Sequence, residues 1–337
     1  MVKKSLVAFG FLLFFSAQAF GAKYAGEFLS LGVGARALGM GGAFVGIADD
    51  VTACFWNPSG LCQLNGRELC LMHAETFGSL LNHDFVAFAF PLVEKTRTSA
   101  QTGWDEPPSG GARPGAMAFS LQRLGGGGIK ITDLEKKGHK ISDTNRVVLL
   151  REESHADYAL FFSYSHQMRP RLFWGANMKL IYRDVVTASA FGIGADLSIL
   201  AKPYSFLSLG ANLMDLTSSL LFYDNGTTET INPTTKLGLA INHQIQDFYL
   251  IFATDADVRY EGRKSAAQFW LGKLSADLHF GMEVSYKRKL SGRLGFDQGD
   301  FTAGAGFWIN PTFGGDVALL SHEELDNTYR ISLLLKL

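Results

Sequence analysis

The chain ends on the stretch Thr328-Tyr-Arg-Ile-Ser-Leu-Leu-Leu-Lys-Leu337, which decides the fold class. Successive side chains of an extended strand point to opposite faces. One face of this stretch therefore collects Tyr329, Ile331, Leu333, Leu335 and Leu337. A terminal strand with one apolar face is typical of a transmembrane β-barrel, whose strands present every second residue to lipid.

The opposite end of the chain predicts export. Lys3 and Lys4 precede an apolar run over 6–15, and Ala17-Gln18-Ala19 has the small-x-small pattern of a signal-peptidase site. Residues 1–19 are therefore predicted to be a signal peptide. An exported chain that ends on an amphipathic strand points to the outer membrane of a Gram-negative-type cell.

Alternation of apolar and polar residues recurs along the chain. Over 171–183 one face carries Leu172, Trp174, Ala176, Met178, Leu180 and Tyr182, and the other carries Gly175, Asn177 and Lys179. Such runs approach the 9–11 residues that a tilted strand needs to cross a bilayer. They predict roughly fourteen strands, near 68–76, 83–92, 114–124, 154–168, 171–183, 189–200, 205–214, 234–244, 247–256, 276–287, 290–297, 300–309, 313–320 and 328–337.

The predicted connections differ in length between the two ends of the barrel. Those after even-numbered strands are mostly tight, such as Arg169-Pro170 and Ile245-Gln246, whereas 125–153, 215–233 and 257–275 are long. Short periplasmic turns opposite long outer loops are typical of outer-membrane barrels. The connection 93–113 is the exception, because it is long on the rim that is predicted to be tight.

Composition excludes two classes of protein. Without residues 1–19 the chain has 29 basic and 32 acidic residues, so it lacks the basic excess of a nucleic-acid-binding protein. No uncharged apolar stretch of about 18 residues follows the signal, which excludes a multi-span helical membrane protein. A soluble β-sandwich stays open as the alternative, although its strands are shorter, about 5–6 residues.

The most distinctive stretch, residues 26–60, carries a family resemblance. The segments Gly34-Ala35-Arg36, Leu38-Gly39-Met40-Gly41-Gly42-Ala43, Ala48-Asp49-Asp50 and Trp56-Asn57-Pro58-Ser59-Gly60 closely resemble the N-terminal region of the PorV/PorQ family. That family belongs with the FadL-like outer-membrane transport barrels. The C-terminal half is similar too, especially around Gly295-Phe296-Asp297.

The resemblance implies an N-terminal plug over residues 20–66 inside a transmembrane barrel formed by 67–337. The residues that match the family's plug are Gly34, Arg36, Gly39, Gly41, Gly42, Asp49, Asp50, Trp56, Asn57 and Pro58. Glycine permits positive φ and close backbone approach. Asn57 and the Asp49-Asp50 pair are expected to bond to lumen arginines and backbone amides. The plug is expected to block a lumen that fourteen strands leave too wide for side chains alone.

Two functions follow from the resemblance. The first is passage of hydrophobic or lipid-like small molecules through the outer membrane, with Phe85, Phe88, Phe90, Phe161 and Phe173 as candidate lining or lipid-facing residues. The second is a PorV-like part in type IX secretion, in which the barrel receives secreted proteins on its long outer loops. Catalysis is not expected, because no G-x-S-x-G elbow or defensible Ser and His spacing occurs.

Other motifs have ordinary interpretations. Gly32-Val-Gly-Ala-Arg-Ala37 fits a phosphate fingerprint, but it opens no βαβ unit, so no dinucleotide cofactor is expected. Asp49-Asp50 without spaced partners suits a solvated turn or a salt bridge better than a metal.

Three cysteines, Cys54, Cys62 and Cys70, leave at least one thiol unpaired or paired between chains. A Cys54–Cys62 disulfide stays possible. The chain ends on Leu337 where such barrels commonly carry Phe, so recognition by the barrel-assembly machinery is inferred.

Overall fold

A computed structural model describes residues 26–92, 115–143, 145–322 and 326–337. The predicted signal peptide at 1–19, the first residues of the predicted plug at 20–25 and the connection 93–113 lie outside the described residues. None of the helices in the described part of the chain is long and apolar enough to span a membrane.

The strands of the described residues form one antiparallel sheet. They are β1 Glu68–Thr76, β2 Leu81–Pro91, β3 Gly115–Leu134, β4 Val147–Arg169, β5 Leu172–Asp184, β6 Ser189–Tyr204, β7 Leu207–Met214, β8 Ser219–Tyr223, β9 Thr228–Ile231, β10 Thr234–Ile245, β11 Phe248–Arg259, β12 Phe269–Leu271, β13 Leu274–Tyr286, β14 Leu290–Asp297, β15 Asp300–Trp308, β16 Phe313–Leu320 and β17 Thr328–Lys336. Helical turns occur at α1 Glu27–Ser30, α2 Ala35–Leu38, α3 Ala53–Trp56 and in 3₁₀ helices at Pro58–Gln63 and Lys264–Ala266.

The sheet closes on itself. β1 pairs with β2 on one side and with β17 on the other, from Glu68 opposite Lys336 to Glu75 opposite Tyr329. Fourteen strands form the closed wall, because β8 and β9 continue the hairpin of β7 and β10, and β12 adds only to one end of β13. The predicted fourteen-stranded barrel is confirmed, and closure leaves the wall without a free edge.

The three long connections contain more structure than the sequence predicts. β3 and β4 run far past the expected 114–124 and 154–168, so most of 125–153 is strand. The connection 215–233 contains β8 and β9, and 257–275 contains a 3₁₀ turn and β12. The alternation of these segments is irregular or short, which hides them from a period-two reading.

The predicted faces of the strands are confirmed. In β5 the side chains of Asn177 and Lys179 are 3% and 0% exposed, whereas Met178 and Tyr182 are each 46% exposed. In β17 the inward Arg330 is buried, and the outward Ile331 is exposed. The outer face is thus a band of apolar side chains, the surface that a surrounding lipid bilayer requires.

The inward face of the wall packs against the segment that precedes β1. Val33, Met40 and Phe44 of this segment are fully buried, and they belong to one apolar cluster with Phe85 of β2 and Phe161 of β4. Phe85 and Phe161 therefore line the inside of the barrel. The two phenylalanines Phe88 and Phe90 lie on the opposite face of β2, where their ring centroids are 5.8 Å apart and the rings are tilted by 33°.

Candidate functional site

The ten residues singled out in the sequence all lie in residues 26–66, the segment before β1. Eight of them are buried, and Arg36 and Asp49 are partly exposed. Polar contacts join this segment to strands all round the wall, and the wall residues that take part are Gln122, Asn177, Ser198, Asn212, Asp255, His279, Glu283 and Ser332. The segment is therefore held from all sides rather than along one line.

Glycines bring the segment into backbone contact with the wall. Gly41 has φ +66°, and a Cβ there would lie 2.5 Å from the carbonyl oxygen of Phe296 in β14. A Cβ on Gly295, also in β14, would lie 2.4 Å from the backbone nitrogen of Gly41. Such distances are shorter than any real Cβ contact, so both positions require glycine. The sequence predicts the role of Gly41, and the matching role of Gly295 appears only in the structure.

An ion-pair network fixes the segment to β13. Arg36 Nη1 contacts Asp49 Oδ1 at 2.5 Å and Asp50 Oδ2 at 3.0 Å, and its Nε donates to Glu283 Oε2 at 2.9 Å. Glu283 also accepts from Arg293 Nε at 2.6 Å, and Arg293 reaches Asp316 at 2.6 Å. Four carboxylates thus share two guanidinium groups across the segment, β13, β14 and β16.

The charge state of Arg36 follows from these contacts. Burial by itself lowers the pKa of a guanidinium, but the carboxylates of Asp49, Glu283 and Asp50 outweigh burial and raise the pKa of Arg36 well above its ordinary value. Of the two arrangements expected for the Asp49-Asp50 pair, a solvated turn or a salt bridge, the structure contains the salt bridge. Its cation, however, is Arg36 of the same segment and not a lumen arginine, because Arg293 is already engaged by Glu283 and Asp316.

The turn Trp56-Asn57-Pro58-Ser59 is held by backbone and side-chain hydrogen bonds. Asn57 Nδ2 donates to the carbonyl oxygens of Val45 at 2.9 Å and of Ile199 in β6 at 3.3 Å, and its Oδ1 accepts from Ser59 at 2.5 Å. Asn57 was expected to bond backbone amides, but it bonds backbone carbonyls. Pro58 begins the 3₁₀ helix, where the absence of an N–H costs nothing.

The indole ring of Trp56 completes this turn. Trp56 Nε1 donates to the carbonyl oxygen of Val33 at 2.9 Å, and Lys236 Nζ of β10 lies 5.6 Å from the ring centroid. A cation over an aromatic face contributes roughly 0.5–2 kcal/mol. Trp56 therefore joins two parts of the segment to each other and to the wall.

Sequence reasoning missed two anchors on the wall. Asp255 of β11 accepts from the backbone nitrogens of Phe44 and Val45, both at 2.7 Å. Arg330 of β17 donates to the carbonyl oxygens of Leu31 at 3.2 Å and Gly32 at 3.4 Å. Both residues are polar at inward positions of their strands, so that pattern could have identified them as lumen residues, though not their partners.

All three cysteines are buried free thiols. Cys62 Sγ lies 3.2 Å from Ser165 Oγ of β4, and Cys54 is 0% exposed. Burial raises the pKa of the Cys54 thiol to about 12. The Cys54–Cys62 disulfide that the sequence leaves open is thus not formed in the structure.

A cavity opens at the start of the segment, between α1 and the wall. Its charged lining comes from Glu27, Asp215, Lys236, Asp257, Arg259 and Glu261, and apolar side chains of Leu29, Met214 and Ile231 complete it. The described residues contain no group of three or more His, Cys, Asp or Glu side chains placed to hold a metal ion.

Comparison with known proteins yields matches among solved structures. No protein-family model matches the chain. No curated protein matches it. The toluene transporter TbuX of Ralstonia pickettii is 13% identical over 90% of this chain and 97% of its own, with a TM-score of 0.50.

The monoaromatic hydrocarbon channel CymD is 12% identical over 91% of this chain and 98% of its own, with a TM-score of 0.54. A FadL homologue of Pseudomonas aeruginosa is 9% identical over 87% of this chain and 96% of its own, with a TM-score of 0.49. Identities this low establish a common fold and no more. The chain thus has, over nearly its whole described length, the barrel fold of the hydrocarbon channels TbuX and CymD.

Proposed function

We propose that this protein is an outer-membrane conduit for hydrophobic small molecules, and that residues 20–66 act as its plug. The observation that carries the proposal is the buried segment before β1, which is hydrogen-bonded to inward side chains of strands round the whole wall. The shared fold with TbuX and CymD, whose names describe hydrocarbon transport, supports it. The apolar outer band supports a position in the outer membrane after removal of residues 1–19.

Passage requires the segment to move, because its side chains fill the space inside the wall. The contacts that hold it are of two kinds. Arg36 forms ion pairs with carboxylates, whereas Arg330 donates to the neutral carbonyl oxygens of Leu31 and Gly32. Hydrogen bonds that involve one charged group contribute roughly 1.5–3 kcal/mol each, whereas loss of a partner from a buried ion pair costs about 3–5 kcal/mol. The part near α1 is therefore expected to move more easily than the part near Arg36.

The two functions named above differ in their ligand, which is a hydrophobic small molecule in the first and a secreted protein in the second. Membership of the PorV/PorQ family, and receipt of secreted proteins with it, rests on sequence resemblance alone, in residues 26–60 and in the C-terminal half. No observation in the wall or the cavity favours that function over small-molecule passage. We therefore propose conduction of a hydrophobic or lipid-like ligand, without catalysis and without a cofactor.

A reversible crosslink tests the proposal. Ala35 N lies 2.9 Å from Ser332 Oγ, so cysteines at these two positions are expected to join the segment to β17. Uptake of radiolabelled toluene and of a radiolabelled fatty acid is measured in cells that lack other such channels. We expect uptake by the parent, loss in the oxidised A35C/S332C variant, and recovery on reduction.

All of these variants are made in a background in which Cys54, Cys62 and Cys70 are alanine, because Cys70 contacts the side chain of Ser332. The single variants A35C and S332C are then the controls, because neither can form a disulfide within the chain. The proposed conduit would be refuted by a fully formed crosslink, verified by mass spectrometry, that leaves uptake of both compounds unchanged. Absence of uptake by the parent, in a membrane where the protein is correctly assembled, would also refute it.

A further inference from the structure

β3 and β4 continue beyond the rest of the wall as a two-stranded ribbon. β2 pairs with β3 only as far as Gly125, and β5 pairs with β4 only as far as Ala156. Beyond those points, 126–134 and 147–155 pair with each other and with no other strand of the described residues. Nine residues at about 3.3 Å each give the ribbon a length of about 30 Å.

The ribbon exposes apolar side chains that a ribbon in water would normally lack. Val147, Val148, Leu149 and Leu150 are 53%, 36%, 53% and 53% exposed. The register places Val147 opposite Leu134 and Leu149 opposite Thr132. The side chains of these two cross-strand pairs therefore share one face of the ribbon. Val148 lies on the other face, opposite Asp133. A two-stranded hairpin alone is only marginally stable, so this one gains from a further strand.

Four consecutive glycines, 125–128, mark the point where the ribbon leaves the wall. Gly128 has φ +75°, and a Cβ there would meet no atom within 4 Å. The strand register shifts between Gly126 and Ile129 at the same point. A Cβ on Gly127 would meet only Ser154, at 4.0 Å, whereas a Cβ on Gly126 would lie 2.4 Å from the carbonyl oxygen of Leu80. The ribbon is therefore packed against the wall as far as Gly126 and leaves it at the two open glycines that follow.

We propose that the ribbon is a docking arm for an extended segment of another protein, which adds as a strand to the free edge of β4. The edge 147–155 presents unpaired N–H and C=O groups beside exposed apolar side chains, the combination that strand addition uses. Main-chain hydrogen bonds then supply affinity, and the face of Val147 and Leu149 supplies selectivity.

Lipid is the wrong occupant for this surface. Insertion of the apolar face into hydrocarbon would carry the unpaired backbone groups of both ribbon edges with it. Each unpaired group costs several kcal/mol in hydrocarbon, where no water satisfies it.

A second copy of the chain fits poorly as well. Given the proposed membrane position, two copies are related by rotation about the membrane normal, so their β4 edges run parallel. Arg151 would then face Arg151, and Glu152 and Glu153 would each face their own copies. Like charges directly opposite one another in a sheet are destabilising.

The connection between β3 and β4 at the far end of the ribbon, residues 135–146, is called the tip. Its charge specifies which residues the nearby end of the partner segment carries. Residues 135–146 carry Lys136, Lys137, Lys140 and Arg146 against Glu135 and Asp143, a net positive charge. β4 begins at this tip, so an antiparallel partner strand ends there. The partner is therefore an extended segment with apolar residues at alternate positions and acidic residues at its C-terminal end.

The test uses the full chain in lipid nanodiscs and a labelled nine-residue probe, in which Thr alternates with Val for seven residues and two Glu follow. Fluorescence anisotropy measures its Kd. Matched variants place lysine on either face of the ribbon. We expect Leu149→Lys to raise the Kd at least tenfold, about 1.4 kcal/mol. Val148→Lys, which gains Asp133 as a cross-strand partner, is expected to change it less than twofold.

Main-chain pairing is tested separately with a probe that is N-methylated at every second residue, which is expected not to bind. Heat-modifiable mobility on gels checks that both variants keep a folded barrel. Four results would overturn the proposal: no saturable binding of the probe, equal loss in both variants, unchanged binding of the methylated probe, or ribbon-dependent dimers or vesicle binding in place of peptide binding. Peptide binding does not require conduction, so these outcomes are independent of the uptake test.

Discussion

Replacement of Arg36 by leucine removes the guanidinium that joins Asp49, Asp50 and Glu283. The side chain of Arg36 is 17% exposed, and the three carboxylates are 29%, 13% and 4% exposed. Loss of one partner from a buried ion pair costs about 3–5 kcal/mol. Glu283 keeps Arg293, and Asp49 is partly solvated, so the lower end of about 3 kcal/mol applies. This corresponds to an increase of about a hundredfold in the population of the state in which the segment has left the wall.

Cys54 provides the assay, because it is 0% exposed and lies in the same segment. In a background where Cys62 and Cys70 are alanine, the rate of maleimide labelling of Cys54 reports how often the segment opens. We expect Arg36→Leu to label about a hundredfold faster than its parent. Arg151→Leu is the control, since Arg151 is 64% exposed in its pair with Glu153 and such pairs are worth under about 1 kcal/mol.

A charge rescue separates electrostatics from lost packing. Arg36 also lies 5.2 Å from the ring of Phe44, so leucine changes packing as well as charge. Neutralisation of both neighbours, as Asp49→Asn with Asp50→Asn, is expected to slow labelling of the Arg36→Leu variant at least fivefold. A labelling rate for Arg36→Leu within threefold of the parent would refute the reasoning, because the network would then not hold the segment.

Four further predictions concern single positions. Gly41→Ala is expected to destabilise the barrel in urea more than Gly128→Ala, since both glycines have positive φ but only the Cβ added at position 41 would lie 2.5 Å from a carbonyl oxygen; equal losses would contradict this. Asn57→Ala leaves the carbonyls of Val45 and Ile199 without their donor and is expected to cost about 2 kcal/mol, as measured by hydrogen exchange. Asn232→Ala removes only a solvent-exposed bond to Glu261 and is expected to cost under about 0.5 kcal/mol. The unfolded chain releases the Cys54 proton near pH 9 while the folded chain keeps it up to a pKa of about 12, so stability is expected to fall as pH rises through this window and to fall less in Cys54→Ala; identical profiles would argue against it. Leu337→Phe is expected to leave membrane yield unchanged or improved, and loss of assembly would show that Leu337 is specifically required.

The sequence predicted the barrel because lipid imposes a rule that acts on each strand separately. A strand with lipid on one side and polar groups on the other alternates with period two, and this pattern is visible in 171–183 and 328–337 without knowledge of any neighbour. β1, β14 and β16 have the predicted bounds. The ends of β3 and β4 were not predicted, because outside the wall both faces meet water and the alternation is lost.

The candidate site was predicted in part, for a related reason. Gly41, Asp49, Asp50 and Asn57 are close in sequence, so a local motif brings them together in the structure as well. Their wall partners are distant in sequence, as Glu283 is from Arg36 and Ser332 is from Ala35. A polar residue at an inward position of a strand indicates that its side chain faces the lumen, but it does not indicate which group the side chain will bind there.

The sequence by itself thus determined the strand count, the face that each strand turns outward, and the stretch that carries the Asn57-Pro58 turn and the glycines of the family resemblance. Only the tertiary structure decided the ion pairs of Arg36, the backbone contact of Gly41 with Gly295 and the free edge of the β3–β4 ribbon. The physical reason is range: alternation and turn chemistry are properties of neighbouring residues, whereas closure of the barrel sets which distant side chains meet inside it.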